Sequence, residues 1–345
     1  MKHGGYIMAR IGILGAGTWG TALAIHLAEC GHDVQLWSAF QKEVDALSGT
    51  HRHKNLPGAV IPEGVMFTAD RAEVCSDKDL LVLAVPSIYT RETANSIRPY
   101  VREGQIVVNV AKGIEEDTLK TQTDITEEEL PQARTAVLSG PSHAEEVSTG
   151  MPTAVVAASR DKETAQYVQE IFMDPRLRVY ISPDVKSVEI GGSLKNVMAL
   201  AAGMADGLGY GDNTMAALIT RGMAELARLG HAMGGSAETF YGLTGLGDLI
   251  VTCESRHSRN RRAGVLIGQG RTMQEAMDEV QMVVEGVYSA RAGKQLAEKY
   301  GVRMPIVEEV NDILFNGKPA SDAVRDLMCR DKTVEHPMLS WQENS

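Results

Sequence analysis

The chain has 345 residues, 43% hydrophobic and 23% charged, with 45 acidic against 34 basic side chains and a net charge of -11. That length and apolar content can build two packed domains, and the absence of a long polar tract confines disorder to the ends. The acidic balance, with a pI near 5.4, excludes a nucleic-acid binder that works by neutralising phosphates, so an anionic ligand needs a local cluster of cations.

Cys30, Cys75, Cys253 and Cys329 are dispersed, with no CxxC pair and no histidine at metal spacing. They read as reduced, mainly structural thiols of a cytoplasmic protein, with no metal centre. No apolar run reaches the length of a membrane span, and Met1 to Arg10 lacks the apolar core of an export leader.

From Arg10 the chain reads RIGILGAGTWG: a short apolar strand, Ile11 to Leu14, runs into a G-x-G-x-x-G made by Gly15, Gly17 and Gly20. A helix from Thr18 to Cys30 and a second strand from Val34 to Trp37 complete a unit that predicts dinucleotide binding. Gly15 makes the tight turn, Gly17 lets backbone approach a pyrophosphate, and Gly20 lets helix and strand pack. The helix amino terminus offers free N–H groups and a favourable dipole. Leu36 to Lys42 contains neither an acid for a ribose 2′-hydroxyl nor an arginine for a 2′-phosphate, although Ser38 and Lys42 are placed to assist. NAD and NADP both stay open.

Further apolar runs at Leu80–Val85, Ile106–Val110, Ala136–Leu138, Thr153–Ala158 and Arg178–Ile181 predict a sheet buried on both faces. In such sheets ligands sit beyond the carboxyl ends of strands, so the loops Val85-Pro86-Ser87, Ala111-Lys112-Gly113 and Ser139-Gly140-Pro141-Ser142 should border the site. Lys112 is a candidate cation there. Ser142-His143-Ala144-Glu145 has the form of a capping box, with Ser142 starting a helix; His143 reads as incidental.

Beyond Ser187 helical spacing takes over, which predicts a Rossmann-like domain over residues 9–186 followed by an all-α domain over 187–335, an α/β chain overall. Ile190 to Met204 is apolar or small almost all round except for Lys195. Lys195 shares its helix face with Gly191, Met198, Ala199 and Ala202, small enough to leave room for a ligand, and burial there should lower its pKa towards neutrality. Such a lysine can exchange a proton with an alcohol or a carbonyl. Asp248, in the glycine-tight Gly245-Leu246-Gly247-Asp248 loop, is placed to pair with it. Arg259 and Asn260, at the start of an amphipathic helix, can hold a phosphate by fork geometry and helix N–H groups, while Arg261 or Arg262 faces water. Thr272 to Glu275 is another capping box. Val283-Val284-Glu285-Gly286 reads as a strand-like lead into a helix.

The chain resembles the NAD(P)-dependent glycerol-3-phosphate dehydrogenases of bacterial type along nearly its whole length. The match is carried by GAGTWGTALA from Gly15, AVPS from Ala84, AKGIE from Ala111, SGPSHAEE from Ser139, GGSLKNVMAL from Gly191, GLGDLIVTC from Gly245, SRNRRAG from Ser258 and VVEG from Val283. The resemblance implies reversible conversion of dihydroxyacetone phosphate to sn-glycerol 3-phosphate for phospholipid synthesis, by a cytoplasmic homodimer. It implies that Lys195 exchanges the proton, that Lys112 lies close to substrate and cofactor, and that Asp248 and Thr252 lie near Lys195. Arg259 and Asn260 are implied to hold the phosphate, and Gly140, Ser142 and Ser258 to touch substrate. Thr18, Trp19, Ala144, Arg259, Val283 and Glu285 are implied to lie on the cofactor. The chain departs from the family at Ala39, where many relatives carry arginine or histidine facing the adenosine ribose.

The rival enzyme class is the β-hydroxyacid dehydrogenases, whose helix-borne lysine is followed by asparagine three or four residues on; here Asn196 is adjacent. A dinucleotide-sensing protein without chemistry would need neither Lys195 nor the phosphate cluster. Oxidation through Cys253 lacks an adjacent base in the sequence.

Overall fold

The structure is a computed structural model describing residues 8–332 and 334–335; residues 1–7, part of the segment read as lacking a leader, lie outside the described residues. Eight strands form one sheet: β1 (Arg10–Leu14), β2 (Asp33–Trp37), β3 (Met66–Thr68), β4 (Leu80–Leu83), β5 (Ile106–Asn109), β6 (Arg134–Ser139), β7 (Thr153–Ala158) and β8 (Leu177–Ser182). Their order is β3-β2-β1-β4-β5-β6-β7-β8. Neighbours run parallel except β6 and β7. Continuous apolar runs such as Leu80–Leu83 are buried on both faces, as a parallel sheet between helical layers demands.

Two features depart from the pattern read in the sequence. β3 has only three residues and no periodic signature. The antiparallel return of β7 arises because only the four-residue helix Ala144–Val147 separates it from β6, too short to carry the chain back across the sheet for a parallel strand.

The second half packs around one helix, Val185–Gly207, in which every residue from Ser187 to Ala205 is buried. An element apolar all round has no solvent face, so it becomes a core around which others wrap. Asp184 caps it, accepting from Ser187 N–H at 3.0 Å while also binding Ser236 N–H and the Thr239 hydroxyl. The helices Asp212–Ala232, Asp248–Glu254, Arg259–Gly268 and Glu285–Tyr300 surround it. No helix among the described residues is long and apolar enough to cross a membrane.

One crossing fixes the site. Gly203 and Gly207 of the central helix face Gly264 and Gly268 of the Arg259–Gly268 helix, and a Cβ on Gly264 would strike the Leu200 carbonyl and lie 3.0 Å from Gly203 Cα. The backbones touch because neither side carries a side chain. Gly264→Ala should therefore separate the helices and cost about 2–3 kcal/mol, as overpacking of a rigid contact does. Urea denaturation tests this: an unchanged midpoint would show that the helices do not meet at this glycine.

Candidate active site

Because β4, β5 and β6 are neighbours, the loops leaving their carboxyl ends lie side by side, and the central helix packs against the β6 end, where Gly192 meets Ser139 Oγ and the Lys112 side chain. The Lys195 ammonium donates to Asp248 Oδ1 at 2.5 Å and to the Thr252 hydroxyl at 2.6 Å. Lys112, from the loop after β5, donates to Asp248 Oδ2 at 2.7 Å and to the Gly140 carbonyl at 2.9 Å. One carboxylate thus bridges two ammonium groups contributed by the two halves of the chain. Two cations against one anion leave a single positive charge in excess, suited to an anionic oxygen.

Asp248 side chain is 1% exposed and that of Lys195 7%, against 19% for Lys112, so the cluster opens towards solvent on the Lys112 side. Burial lowers the Lys195 pKa to about 8; the Asp248 charge resists the fall and the Lys112 charge adds to it. Burial also favours a neutral Asp248, but the Lys112 and Lys195 ammonium groups outweigh it and keep the carboxyl below its ordinary range.

Two expectations about this cluster need correction. Asp248 sits in no loop: residues Leu243–Gly247 form a wide helical turn that runs into the Asp248–Glu254 helix, whose first residue is Asp248. Nor does Gly191 leave space for a ligand. A Cβ there would lie 2.8 Å from the Thr244 carbonyl, so the small residue admits the turn that delivers Asp248.

The structure brings the other candidates to the same rim with differing roles. Ser142 is not a helix cap, because the helix begins at Ala144 with His143 before it; the Ser142 hydroxyl instead donates to the Gly140 carbonyl at 3.0 Å. Ser258 caps the Arg259–Gly268 helix through Arg261 N–H. Asn260 donates to Asn196 Oδ1 at 2.9 Å and accepts from Gly286 N–H at 2.8 Å. Its carbonyl oxygen is thereby committed to the fold, and one amide hydrogen remains for a ligand. Among the described residues the Arg259 guanidinium forms no ion pair, whereas Arg261 binds Asp206 at 2.7 Å and Arg262 is exposed. Arg259 lies near enough to Glu285 to favour its charge.

Val283 and Val284 form no strand; Glu285 opens the helix Glu285–Tyr300 directly. Its carboxylate accepts from Ser87 N–H at 3.1 Å and from the Ser87 hydroxyl, joining the loop after β4 to the helical half. Burial raises the Glu285 pKa despite these bonds. At the nucleotide end, Gly15 holds φ +125, and a Cβ there would lie 2.7 Å from the Ala84 backbone. Gly17 is exposed, and a Cβ on it would meet nothing within 4 Å. The helix Thr18–Glu29 behind it has no side-chain cap. A tight turn, an open backbone approach and uncapped N–H groups fit a dinucleotide pyrophosphate. Trp19 and Ala144 pack on the same apolar cluster beside it.

Sequence reasoning missed Glu189, buried in the central helix and accepting from Thr123 N–H at 2.8 Å, with its pKa pushed up to about 7 by burial. It also missed the Asn196–Asn260–Gly286 chain, whose one local signal was an amide next to Lys195. His143 lies against His257, ring centroids 6.1 Å apart, and its Nε2 has no partner among the described residues. Burial pushes the Cys253 thiol up to about 12, which removes it as a nucleophile. All four cysteines are free.

Models of the amino- and carboxy-terminal parts of NAD-dependent glycerol-3-phosphate dehydrogenase match residues 10–165 and 184–325. The chain belongs to the NAD-dependent glycerol-3-phosphate dehydrogenase family. Within this family it is 60% identical to glycerol-3-phosphate dehydrogenase (NAD(P)+) of Agathobacter rectalis, over 97% of this chain and 100% of the relative. It is 56% identical to the enzyme of the same name from Fusobacterium nucleatum, with coverage of 97% and 100%. The crystal structure of glycerol-3-phosphate dehydrogenase from Coxiella burnetii superposes with a TM-score of 0.90 at 37% identity, covering 94% of this chain and 99% of that one.

Proposed function

We propose that the chain interconverts dihydroxyacetone phosphate and sn-glycerol 3-phosphate with NAD(P)H at the Lys195–Asp248–Lys112 cluster. The observation that carries this reading is the carboxylate shared by two lysines, one with a pKa of about 8. Bound NAD(P)H supplies the hydride. As negative charge grows on the ketone oxygen, Lys112 and protonated Lys195 stabilise it, and Lys195 gives up the proton that completes the alcohol. In the reverse direction the neutral amine takes that proton. Asp248 and Thr252 aim the Lys195 ammonium, while Gly140 and Ser142 line the Lys112 side.

Arg259, with the free amide hydrogen of Asn260 and the helix start at Ser258, holds the phosphate away from the reacting carbon, so its binding energy serves orientation. Gly15, Gly17, Thr18, Trp19 and Gly20 take the pyrophosphate end of the cofactor; Lys112, Ala144, Arg259, Val283 and Glu285 flank the rest. The dinucleotide-binding unit is taken as 9–186 and the helical unit as 187–335. Membership of the family supports a homodimer working in the cytoplasm and supplying phospholipid synthesis.

Nicotinamide absorbance after adding dihydroxyacetone phosphate, with NADH and NADPH in parallel, tests the reaction. Oxidation of either supports it; silence with both, despite proven binding, would redirect attention to hydroxyacid substrates. Arg259→Ala should weaken the phosphorylated substrate by about 100-fold in kcat/KM, the loss of a charge-assisted bidentate contact. At saturating cofactor, unphosphorylated dihydroxyacetone should lose far less, its residual loss reflecting the place of Arg259 beside the cofactor, and an equal loss for both ketones would remove Arg259 from the phosphate site.

A further inference from the structure

The carboxyl end of β2 is locked to the glycine turn, since Gly15 N–H donates to the Trp37 carbonyl at 3.0 Å. The next residue, Ser38, is 3% exposed and donates its N–H to the Thr68 carbonyl at 3.1 Å. Its hydroxyl accepts from Phe40 N–H at 3.2 Å and donates to Glu43 Oε2 at 2.5 Å. Glu43 lies in the first turn of the helix Gln41–Thr50, where the dipole favours a carboxylate. Among the described residues its Oε1 accepts no hydrogen bond.

In a strand–glycine turn–helix unit the adenosine ribose lies at the end of the second strand, and a carboxylate there accepts from the 2′-hydroxyl but repels a 2′-phosphate. The strand end itself carries no acid, which left the cofactor open in the sequence; the fold returns one from the following helix. The cations in reach do not replace it. Ala39 offers none, Arg71 is engaged over the Trp37 ring at 5.2 Å from its centroid, Lys42 is an exposed neighbour of Glu43, and His53, which feels the Glu43 charge, is held below its ordinary pKa by burial and so favours the neutral imidazole. We propose that Glu43, held by Ser38, makes this chain select NAD(H) over NADP(H), an inference that rests on the dinucleotide reading of the glycine turn.

Binding of NADH and NADPH, titrated separately by fluorescence energy transfer from the protein, tests this without turnover. The unaltered chain should bind NADH at least about tenfold more tightly. Glu43→Gln, which keeps size and hydrogen bonding to Ser38, should narrow that ratio about tenfold by improving NADPH, and Ser38→Ala should narrow it less. Equal affinities or an NADPH preference in the unaltered chain would overturn the inference, as would a ratio indifferent to Glu43→Gln. Failure to bind either dinucleotide would instead overturn the cofactor reading beneath it, and this inference with it.

Discussion

Lys195→Ala should lower kcat/KM for dihydroxyacetone phosphate by about 10⁴-fold or more while leaving NADH affinity within about threefold. The magnitude follows from losing both a general acid and a positive charge at the developing oxyanion, each worth orders of magnitude in a water-poor site. Dinucleotide affinity should persist because the glycine turn and the first helix lie on β1 and β2, whereas Lys195 lies on the central helix. The remaining Asp248–Lys112 pair is neutral overall, so the variant also loses the excess charge that attracts the ketone oxygen. In the unaltered enzyme, ketone reduction needs Lys195 protonated and alcohol oxidation needs it neutral. With a pKa of about 8, reduction should fall as pH rises through 8 and oxidation should rise over the same interval. Ordinary turnover by the variant, or rates in both directions that ignore pH between 7 and 9, would defeat the assignment of Lys195.

What the sequence made legible was local. The strand, glycine turn and helix from Arg10 to Glu29 are contiguous, so their spacing alone describes the tight turn and the uncapped helix start. Lys195 is legible because a lone cation in an otherwise apolar helix has only a few physical outcomes, and the helix is long enough to define its face. Asp248 was readable as a partner but not as a helical residue, because Leu243–Gly247 coils only through contact with Gly191 and Phe240. Ser142 carried the right letters for a cap, yet the start of its helix is set two residues later. The role of Asn260 is half visible: its place at a helix start follows from the sequence, but its bond to Asn196 depends on the Gly203–Gly264 crossing of distant segments. Glu43 was overlooked because the rule for the ribose acid looks along the second strand, and the chain supplies its carboxylate from the next helix.

Asp248→Asn should destabilise the chain by about 3–5 kcal/mol at neutral pH and shift the rate profile for reduction to lower pH. An amide of the same shape keeps the packing but removes the charge between two ammonium groups that now approach one neutral side chain. Breaking a buried pair in this way leaves uncompensated charge, the costly case for buried ions. Lys195, already lowered by burial, loses the attraction that resists the fall and still feels Lys112, so its pKa must drop below about 8 and the protonated acid becomes scarce at neutral pH. The pH dependence of stability has a definite sign. Asp248 is held below its ordinary carboxyl range in the folded state, so its contribution is present above its unfolded pKa, about 4, and is lost as pH falls through the folded value. The stability gap between the two proteins should therefore be widest near neutrality and close in acid. Urea denaturation from pH 7 down to the acid limit of folding measures the gap, and the rate profile measures the lysine. A variant as stable as its parent, with its reduction profile unmoved, would mean that the two lysines do not share this carboxylate, and the catalytic cluster would have to be rebuilt around Thr252 and the Gly140 carbonyl.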